Sequence, residues 1–241
     1  MIGSKLFAKM LTRSGIIRGN MQRNDEIGAL YKAWGHVFTN HIKGDYVEFG
    51  VYRGDSFVES YKNYLMFKNW LMDELQSSEQ WRRDVAKNYS DFTPHFHGLD
   101  TFSGMPKNNE KNITFQEGTF FATKESVEEL ASYNGLPKEC MTLYKGLFTD
   151  SEKDLKKNLS NQVAIVNIDG DLYESARDSL NIIKEHIIPG TVLLFDDYNA
   201  FNADNNKGER RAFKELREDF KYEFEPWFAY SFSGQSFLCI G

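Results

Sequence analysis

Two apolar runs, each ending in a pair of acids, constrain this chain more than any other feature. Residues 162–175, QVAIVNIDGDLYES, run into Asp169 and Asp171, and residues 191–199, TVLLFDDYN, run into Asp196 and Asp197. Short runs rich in Val, Ile, Leu and Phe suit strands buried on both faces of a parallel sheet. Between them Leu180, Ile183 and Ile187 recur at helical spacing, so the unit reads strand, helix, strand. A right-handed crossover lays the two strands side by side, and both acid pairs then reach the same sheet edge. Open α/β sheets bind ligands at that carboxyl edge. Four carboxylates gathered there repel one another unless a cation or a proton joins them.

The segment GDYVEFGVYRGDS, residues 44–56, predicts a strand over Tyr46–Phe49, a turn from Gly50 to Gly54 and a helix from Ser56. The turn brings Gly50, Val51, Tyr52, Arg53 and Ser56 close to a ligand, because glycine lets backbone approach it. It lacks the spacing of a dinucleotide fingerprint. Glu48, immediately before the turn, repels phosphate and suits an amine or a sulfonium, which favours S-adenosylmethionine over NAD. Residues 57–90 read as amphipathic helix, a long crossover to a second strand that ends at Asp100. One carboxylate there accepts bonds from both ribose hydroxyls, with Thr101, Phe102 and Ser103 following around the adenosine. A third strand, Met141–Tyr144, leads to Gly146, Leu147 and Phe148, a resting place for adenine, with Asp150 or Ser151 as helix cap.

The same reading places Ile27, Leu30, Tyr31, Trp34 and Phe38 on one face of a helix over residues 25–41, capped by Asn24 or Asp25. GERRAFKELREDF is a further amphipathic helix, and KYEFEPWFAY and QSFLCI, joined by SFSG, form a closing hairpin. The expected fold is α/β and Rossmann-like, the arrangement of a class I methyltransferase. It has seven strands, mostly parallel with the last antiparallel, and helices on both faces. Residues 1–41 form an N-terminal arm and cap helix, and residues 42–241 the main domain.

A net charge of −6 argues against a nucleic-acid partner, and no apolar run is long enough to span a membrane. Twenty Phe and twelve Tyr suit aromatic packing and a lined pocket. Cys140 and Cys239 lie in apolar runs and read as buried thiols of a reducing compartment, the cytoplasm. Residues 1–24 carry Lys5, Lys9, Arg13, Arg18 and Arg23 without the apolar core of a secretory signal. They read as a solvated amphipathic arm that packs on the domain or on a second subunit, with a transit peptide as the alternative.

GDYVEFGVYRGDS, GLDTFSGMP, IDGDLYES, IIPGTVLLFDDY and GERRAFKEL together resemble the macrocin O-methyltransferase family. The resemblance runs in order from about residue 27 to the C-terminus, through five separate motifs. It implies S-adenosylmethionine as methyl donor, a divalent cation, usually magnesium, a hydroxyl-bearing small-molecule acceptor (a sugar or a phenol) and a homodimer. Asp169, Asp196 and Asp197 fit the cation, which takes about six oxygen ligands and keeps several waters. Asp169 also borders the methyl donor. By the same resemblance Asp171 faces the acceptor as general base. Two rival functions stand beside this one. One is a metal-dependent glycosyltransferase that uses Asp169-Gly170-Asp171 as its D-x-D; the other is a homologue that binds the cofactor without turnover.

Overall fold

The computed structural model describes residues 16–110 and 114–241. The reading of residues 1–15 as part of a basic arm falls outside them. Seven strands form one sheet: β1 Asp45–Phe49, β2 Phe96–Asp100, β3 Met141–Lys145, β4 Val163–Ile168, β5 Ile187–Phe195, β6 Glu223–Tyr230 and β7 Gly234–Ile240. Their order is β3-β2-β1-β4-β5-β7-β6. The pairs among β1 to β5 are parallel, and β7 runs antiparallel to both β5 and β6. The chain reverses direction across the sheet between β1 and β4, and such a switch point opens a crevice at the carboxyl ends of the strands.

Strand alternation sorts the core into two layers. Tyr46, Phe96, Ile165, Val192 and Leu194 face helices α1 Ile16–Thr39, α2 Asp55–Glu74 and α3 Gln80–Tyr89, with α4 Lys124–Tyr133 beside them. Val47, Phe49, Val166, Ile168, Leu193 and Phe195 face α5 Phe148–Asn158, α6 Tyr173–Ile183 and α7 Gly208–Glu218. Successive side chains of a strand point to opposite faces, and here both faces are buried. Much of the aromatic content lies in the first layer. Trp34 is fully buried, donates from its indole N–H to Ser60 at 2.9 Å, and packs against Phe38, Tyr46, Tyr64 and Phe96.

Several boundaries differ from expectation. The first helix starts upstream, at Ile16, so neither Asn24 nor Asp25 caps it. Asp25 instead accepts the Ser231 backbone N–H at 2.6 Å, tying the helix to the hairpin turn. The crossover after β1 is two helices broken over residues 75–79, where the Ser77 hydroxyl accepts the Glu79 backbone N–H at 3.2 Å in place of a helical bond. Strand β5 begins at Ile187, four residues before the expected run, through Pro189 and Gly190. Helix α5 begins at Phe148, with Asp150 inside its first turn accepting the Leu147 N–H at 3.2 Å. Cys239 is buried, but Cys140 is partly exposed. Among the described residues, no helix is long and apolar enough to cross a membrane.

Candidate active site

Three loops at the carboxyl edge converge on a cavity of about 380 Å³. The loop after β1 contributes Gly50 and Tyr52, the loop after β2 Asp100 and Thr101, and the loop after β4 Asp169 and Asp171. Each holds a non-glycine residue in the left-handed region: Tyr52 at φ 48°, Phe102 at φ 48° and Asp171 at φ 59°. Such conformations cost on the order of 1–3 kcal/mol each and concentrate where ligands are clamped. Gly50, at φ 96°, admits no other residue, since a Cβ there would lie 1.8 Å from the Asp169 carbonyl oxygen.

Asp100 is fixed by backbone. One carboxylate oxygen accepts the Tyr52 N–H at 2.8 Å and the other the Phe102 N–H at 2.7 Å. A carboxylate offers about four lone-pair sites, so with the Thr101 hydroxyl as a third donor, at 3.4 Å to the oxygen that accepts from Phe102, the other oxygen keeps capacity. Leu147, half exposed, and Phe148 line the same space from the end of β3. The acids after β4 and β5 meet across two adjacent strands, because the backbone N–H groups of Asp169 and Asp196 extend the sheet ladder to Phe49 and Ile168. Asp169, Asp171 and Asp197 each present a carboxylate oxygen, and these three lie within 4.8 Å of one another. Asp196 borders the same cavity outside that set of three. Of the neighbouring acids, Asp196 acts most strongly on Asp169, ahead of Asp171 and Asp197.

Burial, and then mutual repulsion, pushes Asp169, Asp171 and Asp196 well above the usual carboxylate range. The Asp197 carboxylate close beside Asp171 pushes it up further, and such a close pair needs a proton or a cation between its members. All-oxygen, anionic donors of this kind suit a hard divalent cation, so the residues fit one.

The expected site residues divide. Gly50, Tyr52, Asp100, Thr101, Leu147, Phe148, Asp169, Asp171, Asp196 and Asp197 border the larger cavity. Val51, Arg53 and Ser56 border a second cavity of about 180 Å³, which shares the walls of Tyr52, Asp169 and Asp196. Glu48, Phe102, Ser103 and Gly146 border neither. Phe102 is core, Ser103 is exposed, and Gly146 continues the ladder from β3 to the Asp100 carbonyl.

Glu48 lies beneath the floor, not in it. Its side chain shares a sheet face with Tyr46, whose hydroxyl donates to it, and the Ser56 hydroxyl donates to it at 2.6 Å. Complete burial raises its pKa to about 7. Because the folded value exceeds the unfolded one, this carboxyl's contribution to stability is full below about pH 4.5 and is lost as pH rises through about 7. Glu48→Gln removes that loss. Urea unfolding should therefore find the variant stabilised relative to the parent by up to about 3 kcal/mol at alkaline pH, and by far less near the unfolded pKa. A pH-independent difference would contradict this account.

Two further acids and a phenol escape sequence reading. Glu209, in the first turn of α7, is buried and accepts the Asp197 N–H at 3.0 Å, so it orients the residue beside the acid set. Glu26 of α1 and Tyr230 of β6 border the smaller cavity. The larger cavity takes its apolar wall from Met105, Pro106, Phe120 and Leu172. Its loop is pinned by Glu110, which accepts the Tyr173 N–H at the start of α6 at 3.0 Å.

Sheet order, switch point and converging loops define the Rossmann-like fold of class I methyltransferases. The sequence profile of the macrocin-O-methyltransferase (TylF) family matches residues 19–223, and the chain belongs to that family. An 8-demethyl-8-(2,3-dimethoxy-alpha-L-rhamnosyl)-tetracenomycin-C 4'-O-methyltransferase from Streptomyces olivaceus is 25% identical over 170 residues, 67% of this chain. The matching segment spans 56% of that relative's length. The solved structure of the O-methyltransferase NovP is similar with a TM-score of 0.66 at 20% identity, covering 90% of this chain and 80% of its own. TomG from Streptomyces achromogenes, an O-methyltransferase solved with SAM, is similar with a TM-score of 0.55 at 12% identity, covering 89% of this chain and 80% of its own.

Proposed function

We propose that this protein transfers a methyl group from S-adenosylmethionine to a hydroxyl of a small-molecule acceptor, a natural-product sugar, with a divalent cation, magnesium, at the acid-tipped strands. The observation that carries the reading is the meeting of a backbone-fixed Asp100 with the Asp169, Asp171 and Asp197 carboxylates in one cavity. Family membership and the relative's sugar 4'-O-methylation support it.

Asp100 receives the ribose hydroxyls of the donor, and Leu147 and Phe148 give its adenine an apolar bed. Asp169, Asp196 and Asp197 hold the cation, with Glu209 fixing Asp197 from behind through its backbone N–H. When bound, the cation supplies Lewis acidity that lowers an acceptor hydroxyl's pKa. Asp171, at the acceptor side beside Leu172, takes the proton as that oxygen attacks. Its left-handed backbone and buried setting suit that role, since a base needs a proton affinity near the working pH. Alignment of oxygen, carbon and sulfur falls to the walls of the cavity, with Tyr52 and Phe120 meeting edge to face at 5.7 Å across one side.

The D-x-D glycosyltransferase reading requires positive charge for a diphosphate. Asp100, Asp169, Asp171, Glu174, Asp196 and Asp197 border the larger cavity, against Lys107 as its one cationic side chain among the described residues. The opposition to phosphate therefore comes from these walls and not from the buried Glu48. Calorimetry with S-adenosylhomocysteine and, separately, UDP-glucose in the presence of magnesium tests the choice. Binding of the first alone is expected; binding of UDP-glucose alone would refute the reading.

A further inference from the structure

The acids after β5 lie against residues 231–233, the turn between β6 and β7. The ladder between β5 and β7 pairs Leu194 with Ser236 and Phe195 with Gln235. Carried two residues further, the same antiparallel register sets Asp197 opposite Ser233, and side chains directly opposite each other interact. The Ser233 hydroxyl reaches the Asp197 carboxylate at 3.2 Å and the Asp196 carbonyl at 3.0 Å, so one proton serves two acceptors. The Ser233 carbonyl accepts the Asn199 N–H at 2.9 Å. The turn is therefore bonded to the chain on both sides of Asp197.

The turn is itself held in place. Tyr230 pairs with Gly234 across it, and a Cβ at Gly234 would lie 2.7 Å from two atoms of the Tyr230 ring, so this closure needs glycine. Ser231 takes a left-handed φ of 53°, and its N–H donates to Asp25 of α1 at 2.6 Å. Phe232, at the tip, is 81% exposed. Asp197 is held from the other side by Glu209, which accepts its backbone N–H at 3.0 Å. A bond to the backbone fixes where the residue sits; a bond to the side chain selects among its staggered rotamers. That selection matters here, because a carboxylate within 4.8 Å of two others is repelled by both. The Ser233 hydroxyl opposes the rotation that would relieve the repulsion.

We propose that Ser233 is a positioning residue for the cation site, its hydroxyl holding the Asp197 carboxylate beside those of Asp169 and Asp171. The closing hairpin then does more than cover the sheet edge: its turn sets one of the acids on the neighbouring strand end. The inference rests on the cation assigned under the proposed function and adds to it a residue outside the acid set. Groups that hydrogen-bond a metal ligand typically contribute about 10–100-fold to metal affinity.

Calorimetric titration of chelator-treated, dialysed protein with magnesium chloride tests it. Ser233→Ala should weaken magnesium binding on the order of tenfold, the equivalent of one hydrogen bond to a charged group. Ser233→Thr keeps the hydroxyl and should restore the affinity to within about threefold of the parent. Phe232→Ala, in the same turn but facing solvent, should leave it within about twofold. Affinity for S-adenosylhomocysteine, titrated without magnesium, should stay within about twofold of the parent in all three variants, because Asp100, Leu147 and Phe148 lie on other loops.

Unchanged magnesium affinity in Ser233→Ala overturns the proposal. So does a loss that Ser233→Thr does not restore, or one that Phe232→Ala matches, since either would trace the effect to the shape of the turn and not to the hydroxyl. A parallel loss of S-adenosylhomocysteine affinity in Ser233→Ala overturns it as well, by showing a general disturbance of the strand ends. If the parent protein binds no magnesium, the cation reading itself fails and takes this inference with it, a result distinct from failure at Ser233.

Discussion

Asp171→Asn lowers kcat on the order of 10³-fold while leaving the affinity for S-adenosylhomocysteine and for magnesium within a few-fold of the parent. The substitution is nearly isosteric. It keeps a hydrogen-bonding side chain toward Asp197 and removes only the capacity to take a proton. Asp171 sits two residues beyond Asp169 on a left-handed residue that turns its carboxylate back toward the Asp197 side chain. A general base contributes about 10²–10⁴-fold, and a sugar hydroxyl is barely ionised at neutral pH, so the upper half of that range applies. Single-turnover kinetics with saturating donor and acceptor separate the proton-transfer role from binding. If magnesium affinity collapses along with turnover, Asp171 is a cation ligand. The close set of Asp169, Asp171 and Asp197 would then be the complete cation site, displacing Asp196 from it.

That distinction marks where sequence reading stops. Acids at the ends of two apolar runs, joined by a helix of the right length, are enough to place Asp169, Asp171, Asp196 and Asp197 at one edge, because a parallel crossover has one hand. They do not say how four side chains divide a few ångströms of space; rotamers and neighbouring loops decide that. Glu48 shows the opposite case. Its place before a glycine turn suggested contact with ligand, yet strand alternation sends it to the face of Tyr46, under α2, where two hydroxyls satisfy it. That outcome was legible in principle from the period of two along β1. The places of Glu209 behind Asp197 and of Tyr230 beside the smaller cavity were not legible, since they come from α7 and β6 folding back onto the strand ends.

Chelation of divalent cations should abolish turnover and also change how stability depends on pH. Without a cation the acid set is relieved only by protons. Asp169, Asp171 and Asp196 are held above the usual carboxylate range by burial first and by one another second. Folded values above unfolded values mean that the folded state binds the extra protons. The stability they confer is full below about pH 4 and is lost as pH rises through about 7 for Asp196 and about 9 for Asp171. A divalent cation replaces those protons and removes the loss. Magnesium should therefore raise the melting temperature of chelator-treated protein more at about pH 8.5 than at about pH 6, where protons compete for the same oxygens. At a concentration near one hundred times Kd the gain is about 2.7 kcal/mol. Asp197→Ala should reduce the magnesium shift at the higher pH and, with one fewer charge on Asp171, make the cation-free protein less sensitive to pH. Thermal scans with and without magnesium at both pH values decide the matter. Equal shifts at the two, or none at either, would mean that the carboxylates at the strand ends hold no cation and that Asp171 and Asp197 settle their repulsion by sharing a proton alone.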